Sequence, residues 1–336
     1  MTYHPPFTLT NRMTRLVSEI AELIGAWKAV NQNTLVPTLR RGNRIKTIQA
    51  SLAVEQNTLS IEQVTAVLDG KSVLGTPKEI QEVHNAFAAY EAMEQLNPYE
   101  LDDLLKAHGI LMRGLIENAG HWRTGGAGIY QEDKVIHVAP PASQLPRLMS
   151  DLFDWLKDTD AHPLIASAAF HYEFEFIHPF SDGNGRMGRL WQTLILSQWQ
   201  PLLAYLPVET VIKHRQADYY LRLGEADARC NCSTFIEFLL EAIQQSLQEA
   251  IDNQPVTNEK TRVEMQVKTR VKTPEAILNL LEDNPSFSLA EVATQLGKAT
   301  STIERAVTKL QQEGLLVHEG AKKGGVWKVI STTANC

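Results

Sequence analysis

The sequence predicts a mainly α protein of two domains: a helical bundle into which one β-hairpin is set, then a smaller winged helix-turn-helix. Three observations predict it. Apolar residues recur at helical spacing through most of the chain, two short β-prone runs interrupt them once, and a charged stretch near 253–273 separates a second compact pattern. With 336 residues the chain is long enough for two separate cores.

Taken in order, residues 1–100 read as an N-terminal helical region. Within it, Ile48 to Asn57 predicts a short helix over about 47–57, with Ser51 and Glu55 four apart on one face. Residues 101–252 read as the central domain. Leu101, Leu104, Leu105, His108, Leu111, Met112 and Leu115 form one helical stripe, and Leu145 to Leu156 another. Between them Gly125, Gly126 and Gly128 precede Ile129-Tyr130, a polar turn and Val135-Ile136-His137-Val138, the pattern of a hairpin that must lean on the bundle and leave one edge free. The segment from Leu164 to Ile177 is apolar on nearly all sides, as in the middle of a bundle, and Phe235 to Leu247 makes a last stripe. Residues 253–273 read as an exposed linker. Over 274–332 three short helical patterns precede Leu315-Leu316-Val317 and Val326-Trp327-Lys328-Val329, which flank Lys322-Lys323-Gly324-Gly325. That is the order of a winged helix-turn-helix.

Composition narrows the function classes. Net charge is −7, so nothing overall marks a polyanion binder. Cys230, Cys232 and Cys336 are odd in number, too few for a disulfide framework and poorly spaced for zinc, which fits reduced thiols in a cytoplasmic protein. The N-terminus lacks the apolar region of a signal peptide. The uncharged run Leu190–Val208 contains Gln192, Gln198, Gln200 and Pro201, so it reads as a buried helix ending before Pro201, and no membrane partner is expected.

The chemistry concentrates in His178-Pro-Phe-Ser-Asp182-Gly183-Asn184-Gly185-Arg186-Met187-Gly188-Arg189, twelve residues between two buried helices. Gly183 and Gly185 allow a tight turn with exposed N–H groups, and the next helix adds its positive end, which together suit phosphates. Arg186 and Arg189, three apart, can clamp further oxygens. Asp182 is placed for Mg²⁺ bridging those phosphates, and His178 for taking a proton from a hydroxyl. Taken singly, each is an ordinary helix terminus or a solvated arginine. Their succession is what points to chemistry.

The segment resembles the signature of the Fic family, His-Pro-Phe-x-Asp/Glu-Gly-Asn-Gly-Arg-x-x-Arg, at every specified position. Trp122-Arg123-Thr124, Val138-Ala139-Pro140-Pro141 and Phe235-Ile236-Glu237-Phe238 are also similar to family segments. The resemblance implies a Fic helical bundle with a β-hairpin flap, transferring AMP from ATP to a Ser, Thr or Tyr hydroxyl of a target protein and releasing pyrophosphate. It implies His178 as general base, Asp182 as Mg²⁺ ligand, Arg186 and Arg189 on the β- and γ-phosphates, and a phosphate turn at Gly183, Asn184 and Gly185, with Met187 and Gly188 within the same nucleotide-binding stretch. The hairpin residues Ile129, Tyr130, Ile136 and His137 would hold the target segment by strand addition. Tyr219 and Tyr220 would line the nucleoside pocket. Asp227 stands where the family often has Asn. The intact Gly183-Asn184 turn favours AMP transfer over the phosphate transfer of Fic-like kinase toxins.

Ser51, Glu55 and Asn57 resemble the family's inhibitory motif, with Gln56 in place of the commoner Gly. The resemblance implies that Glu55 pairs with Arg189 and takes the γ-phosphate site. Removal of AMP through water held by Glu55, and a homodimer, stay open. Two other readings compete. His171, Glu175, His178 and Asp182 have spacings that could ligate zinc, but this leaves the glycine turn and the arginines without a role. A DNA-binding regulator with a nucleotide-sensing or inactive Fic domain would read DNA with Thr300, Ser301, Thr302, Arg305 and Lys309, and reach phosphates with Lys322, Lys323, Arg262, Lys268, Arg270 and Lys272. Residues 274–336 carry 6 basic against 7 acidic groups, a poor footprint for that role.

Overall fold

The computed structural model describes residues 3–31, 37–131 and 134–252 of one compact unit, 1–253. In a second unit, 254–336, it describes 277–278, 280–281, 284–285, 287–295, 300–312, 314–319 and 326–329. Side chains at 29–31, 37–39, 128–131, 134–137, 290, 294, 301, 319 and 326 lie outside the description.

The first unit runs α1 (Asn11–Asn31), α2 (Pro37–Val54), α3 (Ile61–Leu68), α4 (Pro77–Ala92), α5 (Leu101–Leu111), β1 (Gly128–Gln131) and β2 (Lys134–Val138). It continues with α6 (Leu145–Asp158), α7 (Pro163–Ile177), α8 (Asn184–Trp199), α9 (Val208–His214), α10 (Gln216–Arg229) and α11 (Ser233–Asp252). The mainly α expectation holds. The hairpin is antiparallel, with its register broken by a bulge between Ile129 and Tyr130.

α7 occupies the middle, packed on α6, α8 and α11, which is why its sequence is apolar all round. Pro163 opens it, where the missing N–H costs nothing, and the His162 ring accepts from Leu164 N–H at 3.2 Å. α8 stops at Trp199, and Pro201 starts a 3₁₀ turn. Trp191 is fully buried and donates to the Pro98 carbonyl at 3.1 Å, pinning α8 to the residues before α5. Trp191→Ala would cost about 3–5 kcal/mol, a large share of a domain's stability.

Two local expectations need correction. The helix predicted over about 47–57 is the end of a longer one, and α2 stops at Val54, so Glu55 lies in the turn beyond it with Gln56 at φ 68°. The stripe from Leu101 to Leu115 stops being helical at Leu111, because the chain turns through Gly114 at φ 71°. Beyond α2 the path is set by two capping boxes, Ser60 with Gln63 and Thr76 with Glu79.

In the second unit α12 (Leu289–Gln295), α13 (Thr300–Gln312) and the antiparallel pair β3 (Leu316–Glu319) and β4 (Val326–Val329) surround Ile277, Leu281, Val292, Ile303, Val307 and Leu310. Trp327 seals it, with N–H groups to Pro285 O at 2.7 Å and from its ring to Phe287 O at 3.0 Å. Lys322, Lys323, Arg262, Lys268, Arg270, Lys272 and the Ser301 side chain lie outside the described residues. No helix among the described residues is long and apolar enough to cross a membrane.

Candidate active site

The 178–186 segment is a loop locked by its own side chains. Asn184 ties both ends of its side-chain amide to Phe180, accepting from its N–H and donating to its carbonyl, both at 2.9 Å. What Asn184 can offer a ligand is its backbone N–H. Gly183 caps α8 at φ 84°, and a Cβ there would fall 2.6 Å from Met112 Sδ, so only glycine fits. The first intrahelical bond at this end runs from Met187 N–H to Gly183 O, leaving the N–H groups of 184–186 pointing out of the helix end. Such an end carries about half a positive charge and is an anion site.

Each motif arginine is held by a carboxylate from the N-terminal region. Arg189 is buried and donates to Ser51 Oγ and Ser51 O, both at 3.0 Å, and to Glu55 Oε1 at 2.8 Å. Its Nη1 is buried and has no hydrogen-bond partner among the described residues. Glu55 also lies directly against Gly185, where a Cβ would collide with its carboxylate. Arg186 reaches Glu82 Oε1 at 3.2 Å and Asp182 Oδ1 at 3.1 Å. Glu82 in turn accepts from Asn57 Nδ2 at 2.9 Å, and Asn57 Oδ1 accepts from Leu59 N–H at 3.1 Å. Ser51, Glu55 and Asn57 therefore meet the motif, but Asn57 does so through Glu82.

His178 ends α7 in the left-handed conformation, φ 50° and ψ 61°. Its Nδ1 lies 3.3 Å from Glu175 O, an acceptor, which places a proton on Nδ1; in the neutral ring the lone pair is then on Nε2. Beside it opens a cleft of about 370 Å³ lined by Asn118, Arg123, the Thr124–Ala127 segment, His178 and Ser181. The side chains of Ile129, Tyr130, Ile136 and His137 lie outside the described residues.

The tyrosine pair divides. Tyr219 is buried, its hydroxyl 3.0 Å from His171 Nε2, so its side chain is part of the core in this structure. Tyr220 is half-buried; burial first, then the Glu55 charge, raises its hydroxyl pKa. Asp227 stands near the end of α10, half-buried, its carbonyl accepting from Cys230 N–H at 3.1 Å. His171 is fully buried between Tyr219 and Gln192, the latter at 2.7 Å from Nδ1, and no cluster of three or more potential metal ligands occurs among the described residues. The zinc reading finds no support in that arrangement. Gly188 packs tightly on His171 and Glu175, and Met187 is fully buried.

Three residues that sequence reasoning did not assign shape the site. His108 belongs to the Leu101–Leu115 stripe. Its Nδ1 accepts from Gly120 N–H at 2.8 Å, its Nε2–H donates to Asp182 O at 3.0 Å, and its ring stacks on Phe180 at 3.6 Å. Burial holds its pKa down at about 4, so it is neutral. Glu82 and Arg123 are the others. The three sit on separate elements, and only a capping-box phase that places Glu82 inward on α4 could have signalled one of them.

A family model described as Fic/DOC family matches residues 96–196, and one described as winged helix-turn-helix DNA-binding matches 272–317. The sequence is 28% identical over 232 residues to a protein adenylyltransferase Fic of Nematostella vectensis, covering 64% of this chain and 51% of that one. It is 26% identical over 253 residues to protein adenylyltransferase fic-1 of Caenorhabditis elegans, covering 70% and 47%. The chain thus spans about half the length of the curated relatives it matches. The crystal structure of a Fic family protein from Desulfovibrio desulfuricans G20 superposes with a TM-score of 0.73 at 46% identity, covering 99% of this chain and all of that one. Fic-1 of C. elegans, residues 134–508, shares the fold with a TM-score of 0.59 at 24% identity over 71% of this chain and 72% of that one.

Proposed function

The chain belongs to the Fic/DOC family, and from that premise we propose that it is a protein adenylyltransferase held back by its own Glu55. Its substrates are ATP and a Ser, Thr or Tyr hydroxyl on a target protein or on itself. One observation carries the reading: the open end of α8 already holds an oxyanion, because Glu55 lies against Gly185 and is bound to Arg189. A site that grips a carboxylate there is built for phosphate oxygens.

In the proposed step the target hydroxyl oxygen bonds to the α-phosphorus. The bond from that phosphorus to the oxygen bridging to the β-phosphate breaks, pyrophosphate leaves, and the hydroxyl proton passes to His178 Nε2. The N–H groups of 184–186, Arg186 and, once Glu55 has moved away, Arg189 meet the phosphate charge. Displacement at phosphorus gains most from such positioning and charge neutralisation. Asp182 suits Mg²⁺: its side chain is half-exposed, only Oδ1 has hydrogen-bond partners among the described residues, and Mg²⁺ favours one or two carboxylates plus phosphate oxygens. When bound, the ion would neutralise phosphate charge.

The test is transfer of label from α-³²P-ATP to protein by wild type, Glu55→Gly and His178→Ala. Strong label in Glu55→Gly, weak label in wild type and none in His178→Ala is the expected result. Absence of label in Glu55→Gly with ATP and Mg²⁺ supplied sinks the reading.

The second unit favours a further partner. Thr302, Arg305, Thr308 and Lys309 are exposed along α13, the helix a winged helix-turn-helix presents to duplex DNA. We infer DNA binding through residues 274–332, expected to weaken with salt and with Arg305→Ala. No retention on duplex DNA at low salt would reassign the unit to protein contacts.

A further inference from the structure

We propose that Arg123 is a positioning residue that fixes the base and the root of the flap as one piece. The inference rests on the adenylyltransferase reading only for what that piece is used for.

Arg123 is buried, and among the described residues no carboxylate lies within ion-pair distance of it. Its donors go instead to carbonyls on two separate parts of the chain. Nε donates to His178 O at 2.7 Å and Nη2 to Ile177 O at 3.3 Å, while the Arg123 backbone N–H donates to Pro179 O at 3.0 Å. Nη1 donates to Gly125 O at 2.7 Å and Nη2 also to Pro140 O at 2.6 Å, on the segments that lead into and out of the hairpin. Ala139 N–H to Ala127 O, at 3.0 Å, closes the hairpin just above that point.

The conformation of His178 explains why three of these bonds are needed. A non-glycine residue at φ 50° is strained, and the following Pro179 narrows its choices further. Such a residue persists when its surroundings over-determine it. Arg123 supplies that constraint on the carbonyls of 177, 178 and 179, and so directs the His178 ring toward the cleft it lines. The same guanidinium holds the hairpin that would seat the target strand. A planar fork is required, because four carbonyls are served from three separate nitrogens, Nε, Nη1 and Nη2, and the single nitrogen of a lysine cannot reach them all.

In the Glu55→Gly background, Arg123→Lys is therefore expected to lower kcat at least tenfold and to raise KM for the protein target. The Kd for ATP, read by calorimetry, should stay within about twofold, since no Arg123 donor faces the α8 turn. Full kcat in the lysine variant would overturn the proposal, as would a rate loss matched by an equal loss of ATP affinity. Hydrogen exchange in the unsubstituted protein needs neither a variant nor catalysis. The bonded amides of Arg123, Ala139, His178 and Phe180 should open together as one unit, and independent opening overturns the clamp. If Glu55→Gly transfers no AMP, the adenylyltransferase reading fails and hydrogen exchange still decides the role of Arg123.

Discussion

Glu55 and Arg189, 134 residues apart in the chain, meet at 2.8 Å over the first turns of α8. The pair is lopsided: the arginine side chain is 1% exposed and the glutamate 34%. Arg189 is held by Ser51 as well, from both its hydroxyl and its carbonyl. The glutamate is the partner that can leave, and the arginine stays in place.

That asymmetry sets the expected size of the brake. Breaking a fully buried ion pair costs about 3–5 kcal/mol, and partial exposure of Glu55 reduces this. Glu55→Gly should raise auto-AMPylation at least tenfold, about 1.4 kcal/mol. Glu55→Gln keeps a hydrogen-bond acceptor without the charge and should fall between. Equal initial rates for all three proteins would remove Glu55 from regulation.

Gln56 should be the weak point of the same turn. It adopts φ 68°, where a side chain costs about 1–2 kcal/mol and glycine costs only its extra freedom in the unfolded chain. Gln56→Gly is expected to stabilise the protein by about 0.5 kcal/mol and to lower basal transfer. A melting temperature below wild type would show that the side chain makes a compensating contact.

Glu82 should matter for both arginine and brake. It binds Arg186 through one oxygen and Asn57 through the other. Glu82→Gln retains one of these bonds and loses the ion pair, at an expected cost of about 1–3 kcal/mol in urea unfolding. Because Asn57 loses an anchor, basal transfer should rise. Unchanged stability would make the pair dispensable.

The pH profile of stability should show two opposing slopes. Burial raises the Glu173 carboxyl to about 7, against the ordinary 4.5, with the Tyr3 hydroxyl donating to it. The native state then keeps a proton that the unfolded chain has lost, so stability falls as pH rises from about 4.5 to about 7, by at most about 3 kcal/mol. His108 runs the other way. Its pKa drops from 6.5 to about 4, so the unfolded chain takes up a proton first and stability is lost as pH falls through that window. Thermal melts of Glu173→Gln should therefore rise with pH between about 4.5 and 6.5, where wild type stays flatter. Parallel profiles for the two proteins would contradict the assignment.

How much of this was legible beforehand follows from where the information lies. The 178–189 stretch is contiguous, so glycines, base and arginines could be read together from side-chain chemistry. Ser51 and Glu55 were legible because their spacing resembles a known motif, although the end of α2 at Val54 was not. His108 and Arg123 were opaque for a physical reason: their partners are backbone carbonyls and N–H groups, which every sequence offers everywhere. Tyr219 and Tyr220 could not be told apart because adjacent tyrosines on a helix point about 100° apart, and only the packing of His171 and Phe235 shows that Tyr219 faces inward.

The left-handed backbone at His178 also bears on how an inactive control should be chosen. Histidine belongs, with asparagine and aspartate, to the residues that tolerate that region, and alanine does not. His178→Ala therefore removes the base and adds backbone strain at the entrance to the phosphate loop, so a loss of ATP binding in it has two causes. His178→Asn removes the base and adds no backbone strain beyond what the native residue already bears. It is the variant in which a captured target, or a trapped nucleotide, would report on the resting geometry of the native protein.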